Sequence, residues 1–265
     1  ISHKDAEYIK KKLPSMYHQF KELADVDITK EPMEIGPTMH YVMGGIRVEP
    51  DNGAATIPGL FACGECSGGM HGGNRLGGNS LSDLVVFGKR AGEGAVQFAR
   101  ANQGSVRVDE AQIKRAEENL LRPFASNAKH TPYDVHFELQ DMMSDNVGIM
   151  RTGEDIKKAI DSFPAMNEKL RTSRVEGSRM FNPGWHLWAD MQNMLLVAEV
   201  VAKSALQREE SRGAHTRLDF PKTDTGYWES VNSRATVENG AVNVGVFEKP
   251  KMPGELKSLV DGESK

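Results

Sequence analysis

The stretch His71-Gly72-Gly73-Asn74-Arg75-Leu76-Gly77-Gly78-Asn79-Ser80-Leu81 decides how this chain is read. It is a glycine-rich loop that runs into an apolar helical pattern, and such a loop lets backbone amides approach a ligand closely. Ser80 followed by Asp83 has the form of a capping box, so a helix is expected to open at Ser80. The N-terminus of that helix would offer unpaired N–H groups and partial positive charge to an anion or an electron-rich ring edge. Arg75 supplies a planar, permanently charged fork that matches a carboxylate. Glycine richness alone is a weak signal, and a glycine-lined turn with a surface arginine reads equally well.

Working outward, Leu81, Leu84, Val85, Gly88, Gly92, Ala95 and Val96 recur at helical spacing and are expected to form the buried stripe of that helix. Upstream, residues 60–63 read as a buried strand, Asp51-Asn52-Gly53 as a turn, and 40–49 as strand and turn. Residues 2–24 read as a helix with Ser2 and Asp5 in a capping relation and Pro14 as an interruption. Downstream, helical patterns over 108–121, 132–143 behind Thr131, 154–163, 167–175 and 187–208 predict a bundle. Met191, Met194, Leu195, Ala198, Val201, Ala202 and Ala205 read as core of the last helix. Strand-like segments follow near 237–246, and the final ten or so residues read as mobile.

The 265 residues begin with Ile1 rather than Met, which gives the expectation of a piece cut from a longer chain. A net charge of −4 with basic and acidic residues mixed throughout gives no footprint for nucleic acid. No apolar run reaches the roughly 20 residues of a membrane-spanning helix, so membrane association is expected only through a partner. The two cysteines, Cys63 and Cys66, form one Cys-x-x-Cys without a second pair or a histidine at zinc-ligand spacing. No metal site is expected, and the pair reads as small buried residues at a strand end in a reducing compartment, with a redox thiol pair as the lesser reading.

Four segments resemble signatures of the succinate dehydrogenase and fumarate reductase flavoproteins, in the family's order: residues 37–45, 58–65, 71–81 and 212–221. The resemblance extends over residues 1–230 and is to the C-terminal half of that family. It implies an α+β or α/β fold: the end of a capping domain (1–38), the returning part of a Rossmann-like FAD-binding domain (39–104), a helical domain (105–225) and a C-terminal tail (226–265). It further implies FAD as cofactor, and succinate and fumarate interconverted by hydride transfer. The partners would be membrane anchor subunits together with an iron–sulfur subunit, at the cytoplasmic face of a bacterial membrane or the mitochondrial matrix side.

By resemblance, His40 and Arg75 are expected to bind the substrate carboxylates. Glu65 is expected to bind FAD, and Ser80 and Leu81 to contact the flavin. His71, Asn74, Arg212 and His215 belong to the signatures and are expected in supporting roles. The family's amino-terminal glycine fingerprint, its flavin-linking histidine and its proton-transferring arginine have no match here and are expected upstream of Ile1. Met39 stands where the family often has cysteine. Two rival readings are an L-aspartate oxidase, whose flavin loop usually lacks the Leu-Gly-Gly-Asn-Ser-Leu run, and a non-catalytic helical interaction fragment.

Overall fold

The computed structural model describes residues 3–36, 39–104 and 107–263. Ser2, one partner of the expected first cap, lies outside the described residues, as do Pro37 and Thr38 of the first signature. The chain divides into two compact units, Ile1–Val42 and Met43–Lys265.

In the first unit, Asp5 caps α1 (Ala6–Lys12) by accepting a hydrogen bond from the Tyr8 N–H at 2.7 Å. The helix stops at Leu13, and α2 (Pro14–Ala24) starts afresh with proline in its first turn, where the missing N–H leaves no bond unmade. The interruption expected at Pro14 is therefore a helix boundary. Asp27 then folds the chain back, its carboxylate accepting from the backbone N–H of Thr29 at 3.1 Å and the hydroxyl at 2.6 Å.

The second unit opens with β1 (Ile46–Arg47), which pairs in parallel with β2 (Ser67–Gly68). Between them the expected buried strand over 60–63 is absent. Phe61 forms only an isolated bridge with Ala54, and Ala62 alone of the four is buried. The segment folds back on 53–55 through two backbone bonds, Ala62 N–H to the Gly53 carbonyl and Ala55 N–H to that of Leu60, too short a ladder for a regular strand.

The long helix α3 (Asn79–Ala101) buries Asp83, Ala91 and Gly94 and leaves its predicted stripe outside. Leu81, Val85 and Val96 are 71, 74 and 48% exposed. The inward face is the one with small residues, because the 52–62 turn lies against it. A Cβ on Gly94 would sit 3.0 Å from Cβ of Asn52, and Phe61 meets Phe98 edge-to-face at 6.1 Å. Close backbone approach chose this face, and periodicity of apolar residues does not report it.

Next come α4 (Glu110–Leu121), capped by Asp109, and α5 (Pro132–Val147), which starts with a full Thr131–Asp134 capping box. After β3 (Met150–Arg151), α6 (Gly153–Thr172) runs unbroken through Pro164, where two helices were expected. Ile156, Ala159, Phe163, Met166 and Leu170 form one buried stripe across the proline, and their burial outweighs the roughly 3 kcal/mol that an interior proline costs. The helix α7 (Pro183–Gln207) begins earlier than predicted because Asn182 caps it, accepting from the Trp185 N–H. Together α5, α6 and α7 enclose the main core, with the Trp188 indole N–H donating to the Leu170 carbonyl at 3.1 Å.

β4 (Thr216–Arg217) pairs in parallel with β3. A short α8 (Tyr227–Ser230) leads into an antiparallel hairpin of β5 (Val231–Glu238) and β6 (Ala241–Glu248), turning at Asn239-Gly240 with positive φ at both residues. Lys203 and Gln207 of α7 donate to the Val242 and Val244 carbonyls and dock the hairpin. The last described residues form α9 (Gly254–Glu263). The mixed helix-and-strand architecture with a helical bundle is the one expected. Among the described residues no helix is long and apolar enough to cross a membrane, and no group of three or more His, Cys, Asp and Glu could hold a metal ion.

Candidate active site

Four of the five sequence-predicted site residues lie in the second unit. Glu65 is exposed in a short 3-10 turn, Gly64–Cys66, between β2 and the bridge at Phe61. That turn packs against the first turns of α3, since a Cβ on Gly64 would lie 2.5 Å from Cδ2 of Leu84. Ser80 and Leu81 sit in the opening turn of the same helix, Ser80 half-buried and Leu81 exposed. Arg75 is half-buried in the preceding loop, where one guanidinium nitrogen reaches the Leu76 carbonyl at 3.4 Å. His40 belongs to the first unit and is exposed on a segment without regular secondary structure.

The expected Ser80–Asp83 capping box does not form. The N-cap lies two residues earlier, at Gly78, and no side chain caps the helix. Asp83, only 4% exposed, instead faces back to His71, whose Nε2 lies 3.2 Å from its carboxylate. This pair ties the start of the glycine-rich loop to α3. His71, expected by resemblance in a supporting role, has this one; the signal for Asp83 in the sequence is a carboxylate within an otherwise apolar helical stretch.

The residues fit a flavin edge. The first turn of α3 has no side-chain cap and no acidic residue, so its N–H groups face the loop side without a competing carboxylate. Gly77 and Gly78 have open space where a Cβ would stand, and the exposed Leu81 adds an apolar surface. Upstream, Gly45 lets the 43–46 segment pass hard against the second Cys-x-x-Cys residue: a Cβ there would lie 2.6 Å from the Cys66 carbonyl carbon. The cysteines are not the buried strand-end pair expected: Cys66 is exposed and Cys63 half-buried, and the Cys66 thiol donates to the Cys63 carbonyl across the turn.

A second polar centre lies over residues 208–224. Glu210 is fully buried, and its carboxylate accepts from Arg208 at 2.7 Å, from Arg212 at 2.9 and 3.1 Å, and from the Asp224 N–H at 2.9 Å. Burial pushes its pKa up, but the bonds from Arg212, Asp224 and Arg208 prevail and hold it at about 2. Arg217, 2% exposed, donates to the Ala205 and Leu206 carbonyls at the end of α7 and pairs with Asp219. Arg151 does the same for α5 through the Val147 and Gly148 carbonyls, and its guanidinium donates to Nδ1 of His215 at 3.0 Å. The His215 Nε2–H therefore donates to the Arg208 carbonyl, and the ring is neutral. Burial first, then the surrounding Arg151, Arg217 and Arg208, keep its pKa below the ordinary histidine value.

Residues 136–250 match the family model described as fumarate reductase flavoprotein C-term, and residues 1–81 match the FAD binding domain model. Mycobacterium smegmatis Sdh1 in complex with UQ1 superposes on 97% of this chain with a TM-score of 0.89 and 52% identity, over 44% of its own length. The chain belongs to the succinate dehydrogenase and fumarate reductase flavoprotein family. In this family it is 33% identical over 253 residues to the fumarate reductase flavoprotein subunit of Mycobacterium tuberculosis, covering 92% of this chain and 43% of that protein. A variant of E. coli quinol fumarate reductase FrdA superposes with a TM-score of 0.85 at 33% identity, covering 96% of this chain and 44% of that one. The chain thus spans about two fifths of the length of such relatives, and the family's cofactor is FAD.

Proposed function

We propose that this chain contributes part of the active site of a flavoprotein that interconverts succinate and fumarate. The observation that carries the reading is the loop bearing Arg75 running into the uncapped start of α3, with Ser80 and Leu81 in its first turn and the Glu65 turn packed beside it. FAD, when bound, supplies the two-electron partner for the dicarboxylate. Glu65 accepts hydrogen bonds from cofactor hydroxyls, and the α3 N-terminus with Ser80 and Leu81 holds the flavin edge. Arg75 clamps one substrate carboxylate with two parallel N–H bonds, and His40 holds the other. No residue of this chain is assigned the proton transfer, so its contribution is positioning and electrostatic stabilisation.

In this reading residues 1–38 end a capping domain, 39–104 complete the FAD domain, 105–225 form the helical domain and 226–265 the tail. Electrons leave through an iron–sulfur subunit to quinone, and membrane attachment is peripheral, through partner subunits at the cytoplasmic face. The test is succinate-linked dye reduction by FAD-loaded protein containing this sequence, with malonate as competitor. Aspartate-dependent peroxide formation without succinate turnover would instead indicate L-aspartate oxidase chemistry. The 265 residues produced alone are expected to hold no stoichiometric FAD and to reduce no dye, and turnover from them alone would defeat the claim that they form part of a site.

A further inference from the structure

The glycine-rich loop rests on a turn from a distant part of the chain. Gly213 has φ +59, and a Cβ there would fall on the Gly73 carbonyl and 3.0 Å from the Asn74 backbone nitrogen. Only glycine satisfies both the left-handed conformation and the backbone-to-backbone approach. The next residue closes the contact, Ala214 donating its N–H to the Gly73 carbonyl at 3.2 Å. From the other side, a Cβ on Gly73 would lie 3.2 Å from Cγ of Arg212. Arg75 follows two residues after this seat.

The supporting turn is itself immobilised. Arg212 and His215 exchange backbone bonds at 2.8 and 3.0 Å, and the Arg212 side chain is held by buried Glu210 and by the Asp224 carbonyl at 2.6 Å. His215 and Arg217 connect it to the ends of α5 and α7 through Arg151 and the α7 carbonyls. A rigid bundle, a cross-linked turn and a loop seated on it form one continuous mechanical path.

We propose that the Arg212-Gly213-Ala214 turn is the platform that fixes the height of the glycine-rich loop and thereby aims Arg75, making Gly213 a positioning residue for dicarboxylate binding. This deepens the proposed function and rests on that reading. His71–Asp83 pins the start of the loop and the Gly73–Gly213 seat pins its middle, so Arg75 is carried on the span between that seat and α3. A displacement of the seat by a fraction of an ångström passes directly to the guanidinium.

The test uses FAD-loaded protein with two graded substitutions, Gly213→Ala and Gly73→Ala. The first forces backbone against backbone; the second meets side-chain carbon first, Cγ of Arg212 at 3.2 Å, with the Gly213 Cα at an ordinary 3.7 Å, and so displaces the seat less. Malonate Kd, read from the flavin spectrum, is expected to rise about tenfold or more in Gly213→Ala and by a smaller factor in Gly73→Ala. The succinate KM should rise more than kcat falls, with FAD content retained in Gly73→Ala. Backbone hydrogen exchange over 71–79 should accelerate in both variants, and this readout does not depend on any ligand. Unchanged malonate affinity in both variants overturns the proposal, as does loss of FAD from Gly73→Ala, which would make the contact a support of the fold. If the unsubstituted protein ignores malonate, the dicarboxylate reading fails; unchanged exchange over 71–79 would then sink the platform as well.

Discussion

In the α5–α7 bundle, Ile156, Phe163, Trp188, Met191 and Leu195 are all 1% exposed or less, while in α3 Leu81 and Val85 stand 71 and 74% exposed. Both regions have helix-period apolar residues, yet only the bundle closes them into a core. The inward face of α3 is made of Ala91 and Gly94, which admit a backbone, and of Asp83, which holds His71. Stability therefore resides in the bundle, and the residues proposed to bind ligand sit on a loop and helix start that, in the proposal above, borrow rigidity from it through residues 208–217. The substitutions below are chosen to break or sharpen that division.

The largest effect is expected in the bundle. Phe163→Ala should lower unfolding free energy by about 3–5 kcal/mol, because the site is enclosed by α5, α6 and α7 and cannot collapse fully. Denaturant titration measures this, and a loss under about 1 kcal/mol would mean that the core is looser than its burial indicates.

Glu210→Gln comes next, at about 3 kcal/mol, since it leaves Arg208 and Arg212 without their shared counter-charge. Its carboxyl is depressed to about 2 in the folded chain, so the folded state binds fewer protons than the unfolded one over the acid range. That contribution is complete above the ordinary glutamate pKa and fades as pH falls from there toward 2. Stability measured between about pH 5 and 2 should thus decline less steeply in the variant, and parallel curves would remove Glu210 as a source of acid lability.

Arg75→Lys tests the loop side. It should cut catalytic efficiency on the order of a hundredfold, about 2.7 kcal/mol of transition-state stabilisation, with FAD retained and the bundle unaffected. Near-normal kinetics would take Arg75 out of the site. His40→Ala should weaken the malonate-induced flavin change by roughly tenfold in Kd, the loss of one charge-assisted or neutral hydrogen bond. An unaltered constant would leave that histidine without a substrate role.

The smallest effect sharpens the contrast most directly. Val85→Ala on the open side of α3 should shift the stability of this chain by no more than about 0.5 kcal/mol, against several for Phe163. A loss comparable to the core variant would show that the exposed stripe is covered in solution.

Local signals determined much of this protein. Pro14, the cap position at Thr131 and the bundle periodicity all act within a few residues, so sequence alone located α5, strand-like segments near 237–246 and most of the core stripe of α7, while the turn at Asn239-Gly240 within those segments came from the structure. The glycine-rich loop running into a helix was legible for the same reason. What only the tertiary structure decided depends on groups far apart in the chain. The inward face of α3 follows from the approach of residues 52–62, the continuity of α6 through Pro164 from burial against α5 and α7, and the diversion of Asp83 from a cap to His71. The seat of Gly73 on Gly213 belongs to the same class: propensity and spacing describe each glycine as permissive, and only the backbone opposite it makes it obligatory.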